Sequence, residues 1–146
     1  MLAPDVNILV YAHRAELPDH AACRRWLEGL VNADTGFGLA DVVLSGFLRI
    51  VTHPRIFGSP TPLADALAEA SALRAQPNRV PLEPGPRHWS IFERLCRDSR
   101  AKGNLVADAY LAALAIESGC EWVTTDRDYS RFPGLRWQSP LATGDG

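Results

Sequence analysis

The segment NLVADAYLAALAIESG, residues 104–119, limits what this chain can become. Ala, Leu, Ile and Val cover most faces of the helix it spells, so other elements must enclose it. Asp108 nevertheless sits in its first turns. A buried ionised carboxylate is costly unless it is paired, strongly hydrogen-bonded or bound to a metal. The fold must therefore supply Asp108 with a partner or a cation.

The rest of the chain reads as short apolar strands alternating with helices. MLAP suits a first strand with Asp5 at its end, and NILVYAHR a helical turn. Residues 20–33 place Cys23, Trp26, Leu27 and Leu30 at helical spacing, with Arg24, Arg25 and Glu28 outward. GFGLA is a second strand, after which Asp41 is expected to cap a helix over 42–51. Thr61 and Pro62 are expected as cap and first residue of the helix LADALAEASALRA. A short strand in RVPLEPGP precedes a helix with Trp89, Phe92, Leu95 and Cys96 on one face. Gly119 closes the Asp108 helix, EWVTT is a strand leading to Asp126 and Asp128, and LRW is a last short strand. This alternation predicts a three-layer α/β/α domain over residues 1–141 with a short, mainly parallel central sheet, followed by a flexible tail, 142–146.

Bulk properties narrow the class by exclusion. A net charge of −2 gives no overall attraction for nucleic acid, so any polyanion site must be a local basic patch. Cys23, Cys96 and Cys120 form no C-x-x-C pair and read as buried thiols in a reducing compartment. The N-terminus has no basic leader and the chain no 18-residue apolar run, so a cytoplasmic protein without membrane contact is expected.

Each conspicuous acid has an ordinary explanation. Asp5 can cap a helix beginning at Val6, Asp108 can favour a helix N-terminus, and TTDRD can be a solvated turn. Together these explanations weaken. In an α/β sheet, ligands gather beyond the carboxyl ends of the strands, where Asp5 and Asp126 fall. Carboxylates crowded at one edge repel one another without a cation, and Mg²⁺ takes oxygen ligands while keeping several waters.

PDVNILVYAHR near the start, GNLVADAYLAALAIESG in the late helix and WVTTDRDYSRFPGLRW near the end resemble, in order and spacing, the PIN-domain ribonucleases, specifically VapC-type toxins of toxin–antitoxin modules. The resemblance runs from Leu2 to about Leu141. It implies that Asp5, Asp108 and Asp126 are catalytic residues that bind Mg²⁺, with Mn²⁺ as a substitute, and that the reaction is phosphodiester hydrolysis without a covalent enzyme intermediate. It further implies a structured RNA substrate (tRNA or an rRNA loop), a homodimer and a cognate antitoxin. Asn7 sits where the family often carries a small polar residue, and Asp128 is a candidate outer contributor. Gly46 departs from the pattern, because the family commonly has Glu there. Asp41, five residues earlier, is the nearest acid, but its direction on a helix differs from that of position 46. The second metal is therefore open.

Arg49, His53, Arg55, Arg87, His88, Arg94, Arg97, Arg100, Lys102, Arg127 and Arg131 recur near expected loops and offer phosphate contacts, against the plainer reading of solvated faces balanced by acids. The four histidines lack metal-binding spacing, and Trp26, Trp89, Trp122 and Trp137 are expected in the core. A PIN-like module that binds RNA or antitoxin without cutting is the principal alternative, with Gly46 as its cause. A receiver-like domain lacks its paired acids and late Lys, and a dehalogenase-like phosphatase its D-x-D, since PDVNIL offers Asn7.

Overall fold

The computed structural model describes residues 1–141; the tail expected at 142–146 lies outside the described residues. Five short strands, β1 (Leu2–Pro4), β2 (Phe37–Leu39), β3 (Arg79–Pro81), β4 (Glu121–Val123) and β5 (Trp137–Gln138), form a sheet of order β3-β2-β1-β4-β5. All four pairings are parallel. Six helices connect them: α1 (Val6–His13), α2 (His20–Val31), α3 (Asp41–Val51), α4 (Leu63–Arg74), α5 (His88–Ser99) and α6 (Asn104–Ser118).

Strand order fixes the layers. From β1 to β3 the chain steps along the sheet in one direction, and from β4 to β5 in the other. With right-handed crossovers, α1 to α4 then cover one face and α5 with α6 the other. The helix contacts agree: α1 packs on α2 and α3, α3 on α4, and α5 on α6. Between β1 and β4 the order reverses, the switch point where such sheets hold their ligands.

Helix α6 is enclosed as its composition requires, with Ala109 and Leu111 to Ala115 buried. Gly119 ends it in the left-handed region at φ 69°, a conformation glycine adopts without steric cost. Cys23 and Cys120 are buried and Cys96 half-buried, and all three are free. Among the described residues, no helix is long and apolar enough to cross a membrane.

Three expectations are corrected. Asp41 is the first residue of α3, not its cap; Ala40 holds the cap position, and the Asp41 carboxylate turns outward to Arg74 Nε at 2.8 Å and Arg79 at 3.1 Å. Thr61 does not cap α4, which Pro62 precedes directly. Its hydroxyl lies instead 3.0 Å from His13 and accepts a bond from Arg14 at 3.1 Å. Trp89 is 64% exposed, because the buried stripe of α5 is His88, Ile91, Leu95 and Ser99. That stripe is rotated by one residue, about 100°, from the expected face.

Candidate functional site

Asp5 follows β1 directly, and its backbone N–H bonds Val123 of β4 at 2.8 Å. One carboxylate oxygen accepts from the Val6 N–H at 2.7 Å, so Asp5 is the N-cap of α1. The other accepts from the Thr124 hydroxyl at 2.8 Å. The capping role expected of Asp5 is therefore filled by the same side chain that reaches the sheet edge. Asp5 is only 6% exposed, and no Lys or Arg pairs with it among the described residues.

Thr124 joins the pieces. It is fully buried at the end of β4, donates to Asp5, and accepts from the Asp126 backbone N–H at 3.0 Å and the Asn7 amide at 3.4 Å. One hydroxyl thus fixes the cap of α1 relative to the loop after β4. Asp126 caps the 3₁₀ turn Arg127–Arg131 by accepting from the Asp128 N–H at 2.9 Å. The turn places Tyr129 in the core, where its hydroxyl donates to Asp108 at 3.3 Å.

These residues open onto one groove of about 820 Å³ at the C-terminal edge of the sheet. Asp5, Asn7, Asp108 and Asp126 line it, together with Gly46 and Arg49 of α3. Asp41 is not among its lining residues and borders a separate depression with Arg74 and Arg79. Asp128 is exposed; its carboxylate acts at a distance by raising the pKa of Asp108.

Electrostatics show how Asp108 stands without a cationic partner. Burial pushes its carboxyl up to about 6, and the charges of Asp126 and Asp128 add to the rise against the Tyr129 hydrogen bond. Burial likewise raises Asp5 to about 6, opposed by the Thr124 and Val6 hydrogen bonds and assisted by Asp108 and Asp126. Tyr129 is raised by burial and then by Asp5 and Asp108, so it remains a hydrogen-bond donor at neutral pH. Among the described residues, no basic side chain forms an ion pair with these acids. The protein alone leaves them partly unsatisfied.

The donor set suits a hard cation. The polar side chains lining the groove include three carboxylates and an amide, and Asn7 Oδ1 is buried without a hydrogen-bond partner. Among the described residues, no three His, Cys, Asp or Glu side chains stand close enough to enclose a metal by themselves. That open arrangement fits Mg²⁺, which keeps several waters and is commonly held by one or two carboxylates plus substrate phosphate. The four histidines are occupied elsewhere: His13 at Thr61, His20 at the Tyr11 carbonyl, His53 at the Arg55 N–H and His88 at the Tyr110 carbonyl.

Gly46 has a packing role. A Cβ there would lie 2.9 Å from Val6 Cγ2 and 3.4 Å from Cγ1, so α3 passes the start of α1 only because position 46 is bare. Val is stiff at χ1 and cannot swing away freely. Gly46→Glu is therefore expected to lower stability by about 1–3 kcal/mol through overpacking, read as a fall in thermal midpoint. A Gly46→Glu protein that melts like the wild type would contradict this.

Thr124 and Tyr129 hydrogen-bond to the acids of the site, and the sequence marks them only faintly. Their signals are a hydroxyl closing the apolar strand WVT and an aromatic three residues after Asp126.

Comparison with known proteins bears on the whole arrangement. The PIN domain family matches residues 2–135. Ribonuclease VapC43 of Mycobacterium tuberculosis is 50% identical over 141 residues, covering 97% of this chain and 96% of that protein. Ribonuclease VapC25 of the same organism is 43% identical over 140 residues, covering 96% and 99%. Among solved structures, VapBC2 from Rickettsia felis, bound to a DNA fragment from its promoter, matches with TM-score 0.69 at 16% identity, covering 94% of this chain and 97% of that one. Mycobacterium tuberculosis VapC20, described as a sarcin-ricin loop cleaving toxin, matches with TM-score 0.65 at 18% identity, covering 93% and 99%. At those identities the structural likeness carries the fold, while the sequence relatives carry the family.

Proposed function

The chain belongs to the PIN-domain family, and on that premise we propose that it is a divalent-metal-dependent endoribonuclease, the toxin of a VapC-type toxin–antitoxin pair. The observation that carries this reading is the pair Asp5, buried, and Asp108, half-buried, carboxylates raised to about 6 with no cationic side chain paired to them among the described residues, facing one groove. Relatives at 50% and 43% identity named as ribonucleases support the activity.

Asp5 and Asp108 would hold Mg²⁺ or Mn²⁺, with Asp126 completing the shell or orienting water. Held there, such a cation would supply charge neutralisation at the phosphate and a more acidic water. The chain's own contribution is orientation. Thr124 holds Asp5, the Asp126 backbone and the Asn7 amide in register, and Tyr129 fixes the Asp108 oxygen it donates to. Arg49 also lines the groove, where its charge would meet a phosphate beside the one attacked. RNA is the substrate, presented as an unpaired loop, since sequence-specific recognition of RNA relies on exposed bases. A cognate antitoxin covers the groove in the resting state, in keeping with the VapBC complexes that share the fold, and a homodimer is the expected toxin assembly.

Incubating the purified protein with end-labelled tRNA and rRNA, with Mg²⁺ or Mn²⁺ and with EDTA, tests this. Discrete cuts that appear with metal and disappear with EDTA are expected. Intact RNA with every metal would favour the binding-only module instead.

A further inference from the structure

The loop that carries Asp126 has two sides. Asp126 faces the acidic groove, whereas its neighbours Thr125 and Arg127 line a second depression of about 770 Å³ at the ends of β4 and β5. Ser130, Trp137, Gln138 and Ser139 contribute to the same depression, and among the described residues no Asp or Glu does. The two hollows therefore share one wall, the Thr125–Arg127 segment, with carboxylates lining one side and Arg127 the other.

We propose that this second depression is an RNA subsite that holds a nucleotide flanking the cleaved bond; the proposal rests on the ribonuclease reading above. Half-exposed Trp137 offers an aromatic face on which a base can stack, a contact that tolerates any base. Exposed Arg127, at the start of the 3₁₀ turn, offers the charge for the adjoining phosphate. Thr125, Ser130 and Ser139 bring hydroxyls, and Gln138 an amide, suited to a ribose 2′-hydroxyl and base edges. The volume lies within the usual range for small-ligand sites, about 300–1,000 Å³. The position of Arg127 is fixed by the same turn that fixes Asp126, whose carboxylate accepts the Asp128 N–H at 2.9 Å. A strand whose phosphate lies at the acids thus passes over the Thr125–Arg127 ridge into a cationic, aromatic hollow.

The test is anisotropy of a fluorescein-labelled, single-stranded RNA of random sequence, titrated with the full chain in EDTA so that nothing is cut. Arg127→Ala is expected to weaken binding several-fold and to reduce the slope of log affinity against log salt by about 0.7. Trp137→Leu is expected to weaken binding about fivefold or more with the slope unchanged, while Trp137→Phe retains most of the affinity. Unchanged thermal midpoints in the Arg127→Ala and Trp137→Phe proteins separate these effects from unfolding. If the wild type binds RNA and Arg127→Ala and Trp137→Leu bind it equally well, the subsite is overturned and the ribonuclease reading stands. If the wild type binds no RNA, the subsite is overturned, and the ribonuclease reading stands or falls on the cleavage assay above.

Discussion

Asp108→Asn is expected to yield a folded protein that cleaves RNA at least about a hundredfold more slowly. Loss of a group that merely orients a metal ligand commonly costs about 10–100-fold, so loss of a ligand should cost no less. Stability is expected to move the other way. The Asp108 carboxyl has one hydrogen bond, from Tyr129 at 3.3 Å, and is raised to about 6 by burial and by the charges of Asp126 and Asp128. An amide of the same shape keeps that bond and removes the repulsion. In EDTA near neutral pH, the Asp108→Asn protein should therefore melt at or above the wild-type temperature. A large fall in melting temperature would mean that Asp108 is a structural group and that the catalytic assignment is wrong.

Thr124→Val is the second large effect. Val matches Thr in shape, so the substitution removes a hydroxyl from a fully buried position without opening a cavity. It leaves an Asp5 carboxylate oxygen and the Asp126 N–H without the partners they have at 2.8 and 3.0 Å. A lost hydrogen bond to a charged group together with stranded buried polar atoms costs about 2–4 kcal/mol. For a chain of this size, that is a drop of roughly 5–15 °C in thermal midpoint. The Thr124 bond is also the main influence holding the Asp5 carboxyl down against burial, so its loss should raise the Asp5 pKa further and weaken metal binding at neutral pH. Thr124→Ser keeps the hydroxyl and should lose much less of both. Equal behaviour of the Thr124→Val and Thr124→Ser proteins would show that the packing, not the hydroxyl, matters at this junction.

How far the site can be read from sequence depends on the kind of signal each residue leaves. Asp5 and Asp108 stand out because an acid interrupts an apolar run, and the structure brings both to one groove. Asp126 is legible from its place after a strand. Asp41 misleads because a carboxylate at a helix start fits the capping pattern, and only the fold reveals Arg74 and Arg79 beside it. Trp89 is displaced from its expected face by a single-residue rotation of α5, in which His88 takes the buried position against Tyr110 at a ring separation of 4.4 Å. Thr124 and Tyr129 act through partners 119 and 21 residues away, a relation that local periodicity does not express. Gly46 reads as a missing acid, and the reason for it, close passage of α3 past Val6, exists only in three dimensions.

The cation site proposed at Asp5 and Asp108 is tested most directly by melting temperature against pH. Asp5 has a folded-state pKa of about 6 against an ordinary value of 3.8, so protonation favours the folded state between those values. Its contribution to stability therefore falls as pH rises from about 4 to about 6, by roughly 3 kcal/mol, and stays lost above that. A cation binds the ionised form, so millimolar Mg²⁺ or Mn²⁺ should raise the midpoint strongly near pH 7.5 and little near pH 5, values set by that titration range of about 4–6. In the Asp5→Asn protein that pH-dependent metal response should collapse. A metal response at neutral pH as large in the Asp5→Asn protein as in the wild type, or none in the wild type, would contradict a cation site at these acids.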